Sequence, residues 1–414
     1  MALTSPLDVE RIRADFPLLS RSVHGKPIVY LDSAATSQKP TAVLDAMDTY
    51  YRTINSNVHR GVYQIAEQAT NELEAAREKV RAFINASSTA EVIFTKNATE
   101  SLNLIVQSWG RANLAEGDIV VLSHMEHHAN IVPWHMLAAE RGIQLRWIPL
   151  TEDDQLDLSS LDALLSGAKV LSVTAMSNVL GSLTPVRTLT DAARAAGAIS
   201  IIDGCQSVPH TATDVQALGA DFVAFSGHKL CGPTGIGVLW GRQELLEAMP
   251  PFIGGGEMIR EVRLDGFTCN ELPWKFEAGT PAIAEIIGLG AAVDYLSAVG
   301  MDAIRAHERM LTEYTLRTLN DRFGEDLVIH GPADPDLRGG VFSFSFRDLH
   351  PHDISQVLDE HAVCVRAGHH CAKPLMKLMG VGATARASVY LYNTTADIDA
   401  LGDALEAAGS FFAF

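Results

Sequence analysis

The sequence predicts an α/β protein with a large, mainly parallel sheet, followed by a smaller α+β unit. Three observations lead there. From about residue 90 to 240, short apolar runs alternate with longer amphipathic segments, as successive strand-helix-strand units require. Nearly every run leads straight into polar residues, and in open sheets ligands bind beyond the carboxyl ends of the strands, so these groups are expected on one rim. Near residue 300 the texture changes to short, mixed elements with alternating polarity.

The expected strands of the large unit are residues 92–94, 119–122, 145–149, 170–174, 198–202, 222–225 and 236–240. The polar groups after them are Lys96-Asn97, the stretch 124–128, Ser177-Asn178, the stretch 203–206 and the stretch 226–229. A helix over 283–299, where Gly and Ala are mixed with apolar residues, is expected to link the two units. In the smaller unit, 341–346 alternates like a half-buried strand, 353–358 has a helical pattern, and 363–366 and 387–391 read as strands. The chain has no internal repeat, low-complexity tract or long charge block.

With 414 residues, 47% of them hydrophobic, the chain can bury a core divided among two or three units at roughly 150 residues per domain. Thirty-two basic against 50 acidic residues give a net charge of −18, which argues against binding to nucleic acid or an anionic membrane. The first eleven residues carry charge and no apolar core, so no secretory signal is expected. No apolar stretch reaches the roughly 18 residues of a membrane span, and the expected location is the cytoplasm. Five cysteines without a Cys-x-x-Cys pair speak against a disulfide framework or a Cys-rich zinc site. No metal site is expected: the histidines at 124–128, 350–352 and 369–370 fall in separate units and none has the His-Glu-x-x-His spacing.

The chemistry centres on two residues. Cys371 ends the run Arg-Ala-Gly-His-His-Cys at 366–371, and a thiol that is only ~3% ionised at neutral pH needs such cationic or basic neighbours to become a nucleophile. A cysteine beside histidine is also a common metal-ligand arrangement. Cys205, Cys231, Cys269 and Cys364 lie in apolar or loop contexts and read as packing thiols. Lys229 follows a strand and opens a glycine-rich turn, a position from which its amine can form a Schiff base. Asp203 ends the preceding strand and Gln206 lies one turn on. A lysine and an aspartate at adjacent strand ends are what pyridoxal phosphate needs, one for the imine and one to keep the pyridine nitrogen protonated, although Asp203 could instead cap a helix. Asn97 and Glu100 have capping-box spacing around Thr99, and a helix start on the same rim also offers donors to a phosphate. His127 could stack on the pyridine ring and exchange protons with substrate; His128 reads as structural.

Taken together, Glu126-His-His-Ala-Asn130, Asp203-Gly-Cys-Gln206, Ser226-Gly-His-Lys229 and the run ending at Cys371 resemble a cysteine desulfurase of the SufS type, the second group of the NifS-like family. The likeness extends from 30–35 to 392–394. It implies the pyridoxal phosphate-dependent transferase fold of type I and a homodimer, with an N-terminal segment 1–25 packing with the small domain, a cofactor domain 26–298 and a small domain 299–414 that carries the cysteine loop. Carried over by motif, Lys229 is the imine lysine, Asp203 the pyridinium partner, Gln206 the partner of the ring oxygen and His127 the stacking, proton-transferring residue. Thr99, Ser226 and His228 match phosphate ligands, and Thr280 matches one that reaches across the dimer. Asn178 and Arg386 match positions that hold ring oxygen and substrate carboxylate.

The implied reaction converts L-cysteine to L-alanine, leaves a persulfide on Cys371 and feeds iron-sulfur cluster assembly through a scaffold protein of the SUF system. Arg366 is open between a salt bridge that positions the loop and a contact to substrate; His59 and Arg60 resemble an active-site segment of undefined task. His352, in Leu349-His-Pro-His-Asp353, is either a helix-start residue or, as the resemblance implies, a ligand to the zinc of a SufU-type acceptor. The rivals are a selenocysteine lyase, an aminotransferase or a kynureninase of the same fold, and a metalloprotein. An aminotransferase has no use for a nucleophilic thiol.

Overall fold

The computed structural model describes residues 7–412. Its large sheet contains β1 (Val92–Thr95), β2 (Ile119–Ser123), β3 (Gln144–Ile148), β4 (Ala168–Thr174), β5 (Ile199–Asp203), β6 (Phe222–Ser226) and β7 (Gly237–Gly241). The order is β1-β7-β6-β5-β4-β2-β3. These strands are continuous apolar runs because layers of helix and loop cover both faces, and β4 to β7 are buried almost throughout. All neighbouring pairs are parallel except those of β7, which runs antiparallel to β1 and β6. Thr95 and Ser226 both face Gly237, so β7 starts on the rim where its neighbours end.

The helix Ile283–Val299 has the expected bounds but is a core element, buried between the helices Thr41–Thr49 and Gln64–Phe83. That is why it is apolar on all sides. A Cβ on its Gly290 would lie 2.7 Å from that of Ala76, so only glycine allows the two helices to come this close. Gly300, at φ +94°, ends it before Met301–Phe323 begins. Among the described residues no single helix is long and apolar enough to cross a membrane.

The small sheet has the order β8-β9-β11-β10, formed by β8 (Leu327–His330), β9 (Val341–Phe346), β10 (Arg366–Gly368) and β11 (Thr384–Ser388), all antiparallel. Phe342, Phe344 and Phe346 pack with Ile354, Leu358 and Leu405 of the covering helices. The alternation in β9 does not mark a wet face, contrary to expectation: Ser343 is fully buried and its Oγ donates to the carbonyl of Val179 in the large unit. The strand expected at 363–366 is broken. Val363–Cys364 pairs in parallel with Val29–Tyr30, whereas Arg366 onward joins β11. The strand expected at 387–391 starts earlier and ends at Ser388, because Tyr390 and Tyr392 leave the sheet to bond Pro209 O and Ser33 Oγ. Near the N-terminus, Phe16 meets both Tyr295 and Tyr392 edge-on.

Arg77 ties the segment after β7 to the sheet. Its guanidinium is fully buried, grips both oxygens of Glu277 at 2.7 and 2.9 Å, bonds Glu74 and Val92 O, and lies 4.5 Å over the ring of Phe94. Glu277 also accepts from Phe94 N–H. Breaking a buried pair strands the remaining charge and costs about 3–5 kcal/mol, while apolar replacement of both partners is far milder. Urea unfolding of Arg77→Met should therefore show a loss of that order, much of it regained in Arg77→Met/Glu277→Leu; equal stabilities for the single and double variants would contradict the assignment.

Candidate active site

The polar ends of the strands surround a cavity of about 530 Å³, within the range of small-molecule sites. β1 delivers Asn97 and Thr99, β2 leads to His127, β4 to Asn178, β5 ends in Asp203 before Gln206, and β6 ends in Ser226 before His228 and Lys229; all of these line the cavity. The small unit closes the opposite side with Arg366, His369, His370, Cys371, Arg386 and His352.

The rim is built by close backbone packing. Asn97 caps the helix Ala98–Leu104 by accepting from Glu100 N–H at 2.9 Å, but the Glu100 carboxylate turns to Lys96 N–H, so the expected reciprocal box is not closed. Ser226 Oγ accepts from Ala98 N–H, tying β6 to this helix start. A Cβ on Gly237 would meet the backbone of Asn97 at 2.4 Å, so β7 must begin with glycine.

Asp203 is buried, accepts from Cys205 N–H, and has no salt-bridge partner among the described residues. A buried carboxylate that lines the cavity and has no salt bridge suits a protonated ligand group. Gln206 donates to Ala34 O and keeps a buried Oε1 without partner. Arg386, 3% exposed, donates to Asn178 O, lies 3.6 Å from Asp32 and keeps a buried, unpaired Nε. Burial pulls its pKa down to about 10. This set suits a compact ligand with one protonated ring nitrogen and one carboxylate, and the donor side chains beside Thr99 suit a phosphate. A group such as pyridoxal phosphate fits the residues present.

Burial, then the nearby Lys229, lowers His127 to about 4, and the same causes lower His228 to about 4. Both imidazoles are neutral at physiological pH. Ala129 N–H donates to His127 Nδ1 at 3.0 Å, so the ring carries its proton on Nε2. Cys205, although in the cavity wall, is raised to about 12 by burial and by Asp203, and is inert at neutral pH.

The cysteine loop has an uncommon backbone. Gly368 is at φ +133°, and His370 and Cys371 are consecutive non-glycine residues at +51° and +57°, a conformation that persists only where surroundings hold it. Asn178 Nδ2 donates to His370 O at 2.7 Å, and His370 Nε2 lies 2.9 Å from Thr384 Oγ1. Cys371 itself is exposed. Arg366 makes a two-pronged salt bridge to Asp32 at 3.0–3.3 Å, the loop-positioning alternative; it also lines the cavity.

Two expected site residues lie elsewhere. Thr280 is exposed and outside the cavity. His59, left-handed at φ +68°, bonds Glu74 and stacks edge-on against Trp274, while Arg60 pairs with Glu257. Conversely, sequence reading missed Asp32, which holds Arg366 and approaches Arg386, and Glu126, a fully buried carboxyl bonded to Ser123, Asn130 and Thr174 N–H and raised by burial to about 7.

The family model of class-V aminotransferases matches residues 29–401. The chain is 55% identical to a probable cysteine desulfurase of Streptomyces coelicolor, over 98% of each chain, and 50% identical to a cysteine desulfurase of Serratia proteamaculans, over 95% of this chain and 96% of that one. Among solved structures it superposes on the apo cysteine desulfurase of Thermococcus onnurineus with a TM-score of 0.92 at 39% identity, over 99% of each chain. A cysteine desulfurase of Escherichia coli, solved in an S-sulfonic acid form, gives 0.89 at 38% identity, over 98% of this chain and all of that one. The fold is that of the type I pyridoxal phosphate-dependent transferases.

Acid should destabilise the protein. His127, His228 and His307 fall to about 4 and His370 to about 3 through burial, below the roughly 6.5 of an unfolded histidine. Their neutral forms favour the folded state above that value, and this contribution is lost as pH falls from about 6.5 toward 4, each histidine removing at most ~1.4 kcal/mol per pH unit. Glu126, raised to about 7, acts in the opposite direction, but one group opposes four. Urea midpoints of the cofactor-free protein should fall between pH 7 and pH 5; midpoints that hold or rise would contradict the buried neutral histidines.

Proposed function

We propose that this chain, which belongs to the class-V aminotransferase family, is a pyridoxal phosphate-dependent cysteine desulfurase of the SufS type. The observation that carries the reading is that Cys371 and the pair Lys229 and Asp203 line one cavity from opposite units. When bound there, pyridoxal phosphate supplies an electron sink conjugated to the Cα of the amino-acid substrate.

The residues divide the work. Lys229 would anchor the cofactor through its amine and, when that amine is free, would carry the Cα proton of the substrate. Asp203 would keep the ring nitrogen protonated, and Gln206 and Asn178 would hold the ring oxygen. Thr99, Ser226 and His228 hold the phosphate. Arg386 takes the substrate carboxylate, its direction fixed by Asn178 O and Asp32. His127 delivers or removes protons through Nε2. The Cys371 thiolate attacks the substrate sulfur: an S–S bond forms, the substrate Cβ–S bond breaks, and its electron pair ends, with a proton, on what becomes the alanine methyl group. The thiol is oxidised to a persulfide and the substrate carbon is reduced, so L-cysteine and Cys371 give L-alanine and the Cys371 persulfide without an added oxidant.

We further propose a division at residues 25 and 298, supported by a second buried cluster drawn, apart from Leu31, from 310–408, while Leu375, Tyr390 and Tyr392 pack into the larger cluster at the seam, and a homodimer in which Thr280 and His59, outside their own cavity, serve the partner's. Five free thiols suit the reducing cytoplasm. The sulfur acceptor in this reading is a SufU-type zinc protein, or another SUF scaffold, that passes sulfur to iron-sulfur cluster assembly. His352 supports it: His350, not His352, caps the helix Pro351–Glu360, and the exposed His352 borders both the main cavity and a neighbouring one of about 600 Å³. Imidazole can replace thiolate on zinc, freeing an acceptor thiol to attack the persulfide.

Cys371→Ser should bind cofactor and change colour with L-cysteine, yet form no protein persulfide; mass-spectrometric recovery of wild-type persulfide on Cys205, Cys231, Cys269 or Cys364 would overturn the assignment. His352→Ala should keep the basal rate of alanine formation and lose stimulation by a zinc acceptor, whereas full stimulation would leave His352 with a structural role only.

A further inference from the structure

We infer that His128 positions the sulfur-accepting loop, a role that rests on Cys371 being the acceptor thiol. Nothing in its sequence context distinguishes it from a structural neighbour of His127. The fold gives it two bonds, both to the backbone just after the Cys371 side chain. Its backbone N–H donates to Cys371 O at 2.7 Å, and its Nε2 accepts from Lys373 N–H at 3.0 Å.

The second bond answers a local need. Lys373 opens the helix Lys373–Leu378, whose first amides have no acceptor within the helix. The residue at the cap position is Ala372, which has no side-chain oxygen to offer. His128 is therefore a helix cap supplied by the large unit. Immediately before these two bonds lies the left-handed pair His370 and Cys371. His370 is held by Asn178 and Thr384, whereas the carbonyl of Cys371 is held by His128.

Accepting at Nε2 requires the proton on Nδ1, the opposite tautomer to that of His127. Two adjacent imidazoles thus face in different directions, one carrying a proton to the cavity and the other holding the loop. Burial, then His369 and Lys373, lowers the His128 pKa and favours the neutral form that this bond needs.

The test compares His128→Phe, which keeps a ring and the backbone bond but loses the acceptor, with His128→Gln, whose amide oxygen can reach the position of Nε2. In the cofactor-loaded enzyme, three signals are followed: hydrogen exchange in a peptide spanning 369–377, the cofactor colour change on adding L-cysteine, and single-turnover persulfide on Cys371 by mass spectrometry. His128→Phe should exchange roughly tenfold faster at the helix start and form persulfide roughly tenfold more slowly, the scale of a slightly misplaced reacting group, with the colour change at the wild-type rate. His128→Gln should recover both to within about threefold. Wild-type persulfide formation by His128→Phe, a colour change slowed in proportion, or no rescue by glutamine would overturn the role. If the wild type forms no persulfide, the desulfurase reading fails instead, and the exchange comparison still reports whether His128 holds the loop.

Discussion

The arrangement depends on one strap of chain, residues 31–39, that joins the small sheet to the rim of the large one. On one side Leu31 N–H bonds Cys364 O, Ser388 N–H bonds Leu31 O, and Ala34 N–H bonds Ser388 Oγ. On the other side, Ala34 O takes Gln206, and four donors converge on the carbonyl of His228: Ser37 N–H, Ser37 Oγ, Thr36 Oγ1 and Lys39 Nζ, at 2.9–3.1 Å. A carbonyl has only two lone pairs, so this one, immediately before Lys229, has more donors than it can fully satisfy and little freedom to turn. Lys39 has no salt-bridge partner among the described residues, and burial lowers it to about 8.

The strap also explains the electrostatics. Asp32 lies within it and pairs with Arg366 while approaching Arg386, so one carboxylate sets the direction of two guanidiniums at the cavity. Cationic groups then surround a space in which His127, His228 and His370 are kept neutral by burial. Such a site favours an anionic ligand and leaves histidine free to carry protons in both directions.

Much of the fold was legible because strands covered on both faces must be apolar along their whole length, and they end where polar rim residues begin. The antiparallel direction of β7 was not legible, since an apolar run reads alike in both directions. The serine face of β9 misled for a related reason: serine is polar in sequence yet can be buried when a carbonyl such as Val179 O accepts from it. In the candidate site, Lys229, Asp203, His127 and Cys371 could be singled out from strand-end positions and short motifs. Asp32 and His128 could not, because their partners Arg366 and Lys373 lie 334 and 245 residues away. Thr280 and His59 were named by motif likeness alone; both lie outside the cavity of their own chain, which for Thr280 is no departure, since the likeness assigns it to the partner's site.

The central claim is that the rim of the large sheet holds the cofactor and the small unit brings the thiol to it. A crystal structure of the protein grown with pyridoxal phosphate tests it most directly. The account predicts continuous density from Lys229 Nζ to the cofactor, the ring nitrogen against Asp203, the phosphate among Thr99, Ser226 and His228, and Cys371 on the open side. Density joined to another lysine, or a ring lodged away from Asp203, would contradict it.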